Sequence, residues 1–297
     1  MLEPFFNLGM LMFMSHALVT TAQDGYELLD SGEGRKLERF GPVVLDRPDP
    51  QIVWKKENRE IWNKASARFE KEWHGRKNIP VDWEGNIGGL TLRLKLAAFK
   101  HVGVFPEQCV NWEYIRSRIE RVKRPVSVLN IFGYTGGATI AALQAGASVV
   151  HVDSSKTSIG FAMENAELSK VPVKKVRWIL EDALSFLKRE VRRGNTYDVI
   201  IMDPPASGRG AKGEVWKIED NLSELVELTE KLLSKNPLFV LLNGYAAGYS
   251  HVSYAQLLES VIGSKHKDFS IFSGELFIKE SYTERLLPAG IYARIDL

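Results

Sequence analysis

From Val126 onward, short apolar runs alternate with stretches of helical character, and no other feature of the chain constrains its fold as much. The runs are SVLNIF, SVVHVD, KVRWIL, YDVIIMD and PLFVLLN, each rich in Val, Ile and Leu without apolar–polar alternation. Strands of that kind are buried on both faces. The stretches SIGFAMENAELSK, ALSFLKREVRR and NLSELVELTEKLLS carry the spacing of helices. Strand–helix repetition implies parallel strands joined by right-handed crossovers, so the pattern predicts an α/β, doubly wound, mostly parallel sheet. Two more strand-like runs, FSIFSGELFIK and GIYARIDL, are placed to close it antiparallel, which makes seven strands.

The preceding region has a different texture. DSGEGRKLERFG, LDRPDP and DWEGNIGG are turn-rich, with short runs such as PVVL and LTLRL between them, so short strands and hairpins are expected. ENREIWNKASARFEKEW reads as a helical interlude, with Ile61, Ala65 and Phe69 at near-helical spacing. The four tryptophans here (Trp54, Trp62, Trp73 and Trp83) suit either base stacking or a small core. The opening MLEPFFNLGMLMFMSHALVT is apolar, but its only early charge is Glu3, where a signal peptide wants positive charge. It is too short and interrupted to span a bilayer, and reads as an extension, disordered or packed. The expected organisation is an N-terminal extension over 1–22, a small β-rich accessory region over 23–94 and the α/β domain over 95–297.

The net charge of +2 argues for neither nucleic acid nor membrane at whole-chain level. The single cysteine, Cys109, excludes an internal disulfide framework and a multi-cysteine zinc site, and fits a reducing, cytoplasmic setting. No metal site is expected.

The sequence VLNIFGYTGGATI places glycines directly after the first strand of the α/β region, with Ala138 to Ala145 as the next helix and Gly146 as its cap. In a doubly wound sheet, ligands bind beyond the carboxyl ends of the strands. A dinucleotide fingerprint needs glycine at the first, third and sixth positions of this turn, which here hold Gly133, Thr135 and Ala138. No Gly-Lys-Ser/Thr follows for a phosphate loop. Twenty residues after Gly133, Asp153 ends the second strand and can accept ribose hydroxyl protons. Asp182 follows the third strand, placed for an adenine amino group, and Asp203-Pro204-Pro205 follows the fourth. Each feature has a plainer reading: a turn for the glycines, helix caps for Asp153 and Asp182. Together, in strand order, they describe a nucleoside pocket suited to S-adenosylmethionine.

With these motifs the sequence resembles the class I S-adenosylmethionine-dependent methyltransferases, and within them the family of the bacterial large-subunit rRNA cytosine-C5 methyltransferase and its uncharacterised relatives. GYELLDSGEGRKLERFG and RPDPQIVW look like that family's accessory region, and FKHVGVFPEQ like its entry to the catalytic domain. LNIFGYTGGATIAALQAGA, HVDSSK, NAELS and DPPASGRGAKGEVW look like its cofactor and active-site motifs in order. The resemblance implies a Rossmann-like methyltransferase sheet. Asn130, Phe132, Gly133, Thr135 and Gly136 would line the cofactor's methionine side, with Asp153 on the ribose and Asp182 on the adenine. Glu107 and Gln108 would reach the cofactor from the segment before the core, or else mark a helix start with Pro106 at its first position.

The chemistry expected at the DPP motif is methylation of a base nitrogen. The prolines stiffen the turn, and the Asp203 carboxylate and Pro204 carbonyl can accept hydrogen bonds from an amine. Ala206 stands where many such enzymes carry a stacking aromatic, so Trp216 or Tyr245 would have to stack the base. Cytosine-C5 chemistry needs a thiolate, and the family resemblance puts its cysteine just after the fifth strand. This chain has LLNGYAAGYS there, with Asn243 and no cysteine, and Cys109 lies elsewhere as packing. Arg209, Lys212 and Lys217 follow the DPP turn and suit RNA phosphates, and GRGAKG reads as a loop that closes over substrate. The expectation is a methyltransferase of RNA, ribosomal RNA above all. Its alternatives are a protein or small-molecule acceptor, or a catalytically silent cofactor-binding RNA or assembly factor.

Overall fold

The computed structural model describes residues 14–75, 79–97, 100–210, 213–245 and 248–297. Its first elements are two short strands, β1 (Met14–Ser15) and β2 (Leu18–Thr20). From Met14 on, then, the stretch expected to be an extension belongs to a sheet; residues 1–13 lie outside the described residues. Strands β3 (Tyr26–Gly32), β4 (Arg35–Phe40), β5 (Val43–Pro48), β6 (Ala67–Phe69) and β7 (Trp73–His74) form a separate five-stranded sheet in chain order. A hairpin follows, β8 (Trp83–Ile87) and β9 (Leu90–Leu94), turning through Gly88 and Gly89 at φ 62° and 76°. Both values are positive, as the favoured two-residue hairpin turn requires.

The helical interlude is shorter than its spacing suggests. A 3-10 turn spans Arg59–Lys64, capped by Asn58, and stops before β6, which pairs with β5. Ser66 donates its amide to the Val44 carbonyl at 2.7 Å, and the Phe69 and Trp73 rings meet edge to face, so sheet pairing wins over a few residues of helical period. The four tryptophans belong to packing rather than to base stacking. Their indole N–H groups donate inward: Trp54 to Ser31, Trp62 to Asp30, Trp73 to Ala97 and Trp83 to Phe40.

The α/β region opens with α1 (Cys109–Glu120), entered through a 3-10 turn over Pro106–Gln108. Then come β10 (Ser127–Ile131), α2 (Gly137–Gln144), β11 (Ser148–Asp153), α3 (Lys156–Leu168), β12 (Val176–Leu180), α4 (Ala183–Arg193) and β13 (Val199–Met202). A small hairpin, β14 (Ser207–Arg209) and β15 (Val215–Lys217), precedes α5 (Ile218–Glu230). The chain ends with β16 (Phe239–Gly244), α6 (His251–Val261), β17 (Ser270–Lys279) and β18 (Leu286–Asp296).

Seven strands make the body of the sheet in the order β12-β11-β10-β13-β16-β18-β17, with β1 and β2 added in parallel to the outer edge of β17. The first five are parallel, and β18 runs antiparallel to both β16 and β17, as the two terminal runs predict. Strand residues alternate between two apolar layers. Val128, Val149, Ile201 and Leu241 face α1, α2 and the accessory sheets in one continuous core. Leu129, Val150, Ile200 and Val240 face α4, α5 and α6. Strand order reverses at β10, whose neighbours β11 and β13 lead away in opposite directions, and a ligand cleft is expected beyond its carboxyl end. Among the described residues no helix is long and apolar enough to cross a membrane.

Candidate active site

The glycine turn leaves β10 in a tight path. Phe132, Tyr134 and Gly136 have φ of 57°, 47° and 93°, so every second residue of the turn has a positive φ. Gly133 donates to the Val152 carbonyl at 3.0 Å, and a Cβ on Gly133 would stand 2.4 Å from the buried His151 ring. Under the turn runs a buried polar chain: Asn130 Nδ2 donates to Thr139 Oγ1 at 2.9 Å, which meets His151 Nδ1 at 2.9 Å. Burial pushes the His151 imidazole down to about 3, so it stays neutral. Thr135 ties the turn sideways by donating to the Gly103 carbonyl at 2.7 Å. Above these groups opens a cleft lined by Asn130, Phe132, Gly133, Thr135, Gly136, Gln108, Asp203 and Asn243 among others. Eight of the residues singled out from sequence are thus brought together.

A second recess shares Phe132 with the first and holds Asp153, Asp182, Pro205 and Arg209. Asp153 accepts from the Tyr134 amide at 2.9 Å and the Ser155 amide at 2.8 Å. Burial still pushes its carboxyl up, against the pull of those amides. Asp182 caps α4, accepting from the Ser185 amide at 2.9 Å, so the plain reading of this residue holds while it also lines the recess. Trp216 is buried against Phe132, ring centroids 4.9 Å apart, and donates its indole N–H to the Pro205 carbonyl at 2.7 Å. It braces the DPP turn and is not free to stack an acceptor. Arg209 is exposed on this side, and Lys212 lies outside the described residues, as does part of the loop expected to close over substrate.

The acceptor end is built on Asp203. Its Oδ1 is shut off from solvent and has no hydrogen-bond partner among the described residues. Burial, and then the negative charge of Glu107, push its carboxyl up to about 7. Glu107 itself is pushed to about 7 by burial and is not among the cleft's lining residues, whereas Gln108 is. Pro106 opens the helical turn, as the plainer reading has it, while of the two polar residues only Gln108 lines the cleft. Gln108 donates to the Tyr245 hydroxyl at 2.6 Å and accepts from Asn111 Nδ2 at 2.8 Å; Asn111 Nδ2 also donates to Asn243 Oδ1 at 3.0 Å. Cys109 is buried beside Gln23, at a recess separate from this cleft, and burial holds its thiol up at about 12.

The profile of the S-adenosylmethionine-dependent methyltransferase family matches residues 64–259, about two thirds of the chain. The chain belongs to this family. The crystal structure of the SAM-dependent methyltransferase from Agrobacterium tumefaciens is 37% identical, with 95% of each chain covered and a TM-score of 0.90. Ribosomal RNA large subunit methyltransferase I of Escherichia coli is 43% identical over 79 residues, which are 26% of this chain and 20% of that protein. Ribosomal RNA large subunit methyltransferase K/L of Pseudoalteromonas atlantica is 30% identical over 194 residues, 65% of this chain and 26% of that protein. The chain therefore matches about a quarter or less of these curated relatives' own length.

The cleft and its neighbouring recess suit the family's cofactor in their chemistry: carboxylates at successive strand ends and an orphaned carboxylate oxygen at the far end. Sequence reasoning missed Leu92, Val104, Phe105, Trp112 and Tyr134, which also line the cleft. Tyr134 was visible inside the glycine motif. Leu92, on the accessory hairpin, carries no signal of a cofactor contact in its local pattern.

Proposed function

We propose that this methyltransferase modifies an exocyclic nitrogen of a base in ribosomal RNA. The observation that carries the nitrogen is the unpartnered Oδ1 of Asp203, a buried acceptor waiting for a donor beside Asn243. Carbon chemistry at cytosine would require a nucleophilic thiol, and the chain's one cysteine is buried, protonated and in another recess. The names of the relatives support ribosomal RNA as the acceptor. We read 95–297 as the catalytic domain, 23–94 as its accessory region and the cytoplasm as its setting.

When bound, the cofactor supplies a sulfonium methyl group. Asn130, Phe132, Gly133, Thr135, Gly136 and Gln108 would hold its methionine end, Asp153 the ribose and Asp182 the adenine. Asp203 and the Pro204 carbonyl accept the hydrogens of the acceptor amine and aim its lone pair, so that orientation supplies much of the rate. With its carboxyl at about 7, Asp203 also takes the amine's proton at neutral pH. Asn243 lines the cleft and can donate to the base, and Arg209 lies where a phosphate could be held.

The test supplies methyl-labelled S-adenosylmethionine with protein-free rRNA, ribosomal subunits, total tRNA or a small-molecule extract. Label in rRNA that digests to an N-methylated nucleoside is the expected result. Recovery of 5-methylcytidine would remove the nitrogen assignment, and label confined to protein or small molecules would remove RNA.

A further inference from the structure

A row of rings leads out of the cleft from its acceptor end. Tyr245 is 38% exposed, yet it is fixed from three sides. Gln108 donates to its hydroxyl, Phe105 stacks at a tilted 5.4 Å, and β18 passes so close that a Cβ on Gly290 would stand 3.1 Å from Tyr245 Cε1. Phe105 in turn meets Tyr134 at 5.6 Å and His101 at 5.4 Å. An exposed aromatic side chain held this firmly has already lost the freedom that binding would otherwise cost it.

Beyond His101 the row reaches cations of the accessory sheet. Arg47 donates to the Lys100 carbonyl at 3.0 Å, and Lys100 Nζ donates to the Pro48 carbonyl at 3.1 Å. Lys36 pairs with Asp49 at 3.3 Å and Arg47 with Glu38 at 2.6 Å, whereas Lys100 forms no ion pair among the described residues. Burial, then Arg47, Lys100 and Lys36, push His101 down to about 4, so its ring stays neutral and able to stack. Glu38, Asp49 and the buried Glu107 are the opposing carboxyls.

We propose that Tyr245, Phe105 and His101 form a stacking track for single-stranded RNA, with the acceptor base on Tyr245 and Phe105 and a neighbouring phosphate at Lys100. Stacking on rings flanked by cations is how single strands are held without reading their sequence. A base inside a duplex has no face to offer such a row. The proposal rests on RNA as the acceptor, and it sets the phosphate beside the accessory sheet, where Lys100 meets Arg47 and Pro48.

The test measures fluorescence anisotropy of a fluorescein-labelled, mixed-sequence oligoribonucleotide of about 12 nucleotides, and of its duplex, on the full chain loaded with S-adenosylhomocysteine. The single strand should bind more tightly than the duplex. Tyr245→Ala should weaken it roughly tenfold, and Tyr245→Phe by no more than about threefold. Lys100→Gln should flatten the dependence of log Kd on log salt by about 0.7. Equal binding of strand and duplex, or wild-type binding by both Tyr245→Ala and Lys100→Gln, overturns the track. Calorimetry with S-adenosylhomocysteine identifies a misfolded variant, and Tyr245→Phe with Lys100→Gln then decides. The two readings fail separately. Strand binding that depends on Tyr245 without methylation of any RNA keeps the track and removes the acceptor, while rRNA methylation with an unchanged RNA KM in Tyr245→Ala does the reverse.

Discussion

Asp203 keeps a proton well above the ordinary carboxylate range because ionising it would put an uncompensated charge into a dry site beside Glu107. Two consequences follow at the residue scale. On the proposed role the ionised form accepts the amine's proton, so kcat should climb through pH 7 and level off above it, read from a rate profile between pH 5.5 and 8.5 with saturating substrates. Stability runs the other way: between the unfolded value near 4 and the folded value near 7 the native state binds more protons, so stability falls as pH rises through that window. Asp203→Asn removes this penalty. It should raise Tm at pH 8 more than at pH 5 while abolishing transfer; an equal shift at both pH values would refute the buried charge. Asp153 is expected to act mainly on affinity. Asp153→Ala should weaken S-adenosylmethionine binding about tenfold or more, the worth of hydrogen bonds to a charged group. Unchanged affinity by calorimetry would sink the ribose assignment.

At the scale of elements, the glycine turn shows what a linear pattern can and cannot say. Its place between β10 and α2 was legible, because an apolar run without alternation, a glycine cluster and a helix closed by Gly146 leave little choice; Gly146 does close α2, at φ 89°. The reason Gly133 must lack a side chain was not legible, since His151 comes from the neighbouring strand. Gly133→Ala should therefore cost about 1–3 kcal/mol by overpacking and weaken cofactor binding with it. Chemical denaturation and calorimetry on the same variant would check both, and a variant as stable as wild type would mean that the ring can move aside. The strand ends carrying Asp153, Asp182 and Asp203 were readable from spacing. Phe105 and Leu92 were not, because they reach the cleft through tertiary packing. The misread interlude before β6 failed for the same reason: pairing with β5 decides it, and no local periodicity records that.

For the whole molecule, the decisive fact is that accessory sheets, α1, α2 and one face of the large sheet share a single apolar core. Far-UV circular dichroism, which follows the helices, and tryptophan fluorescence, which is dominated by the accessory region, should report one coincident unfolding transition. Two separated transitions would show that the regions fold independently. A fragment starting at residue 95 would lose Leu92 from the cleft and expose its core, so S-adenosylmethionine affinity should fall at least tenfold if the fragment stays soluble at all. The strands at the sheet's far edge add a matter of timing. Leu18 to Thr20 pair with Leu276 to Ile278, and Thr20 also donates to the Glu107 carbonyl beside Gln108. Contacts between such distant stretches of chain form slowly and late. During synthesis this early strand must wait, without its partner, until the stretch carrying Leu276 to Ile278 has emerged. A nascent chain is thus kept from bracing the Glu107–Gln108 segment of its cleft until residues 276–278 have left the ribosome.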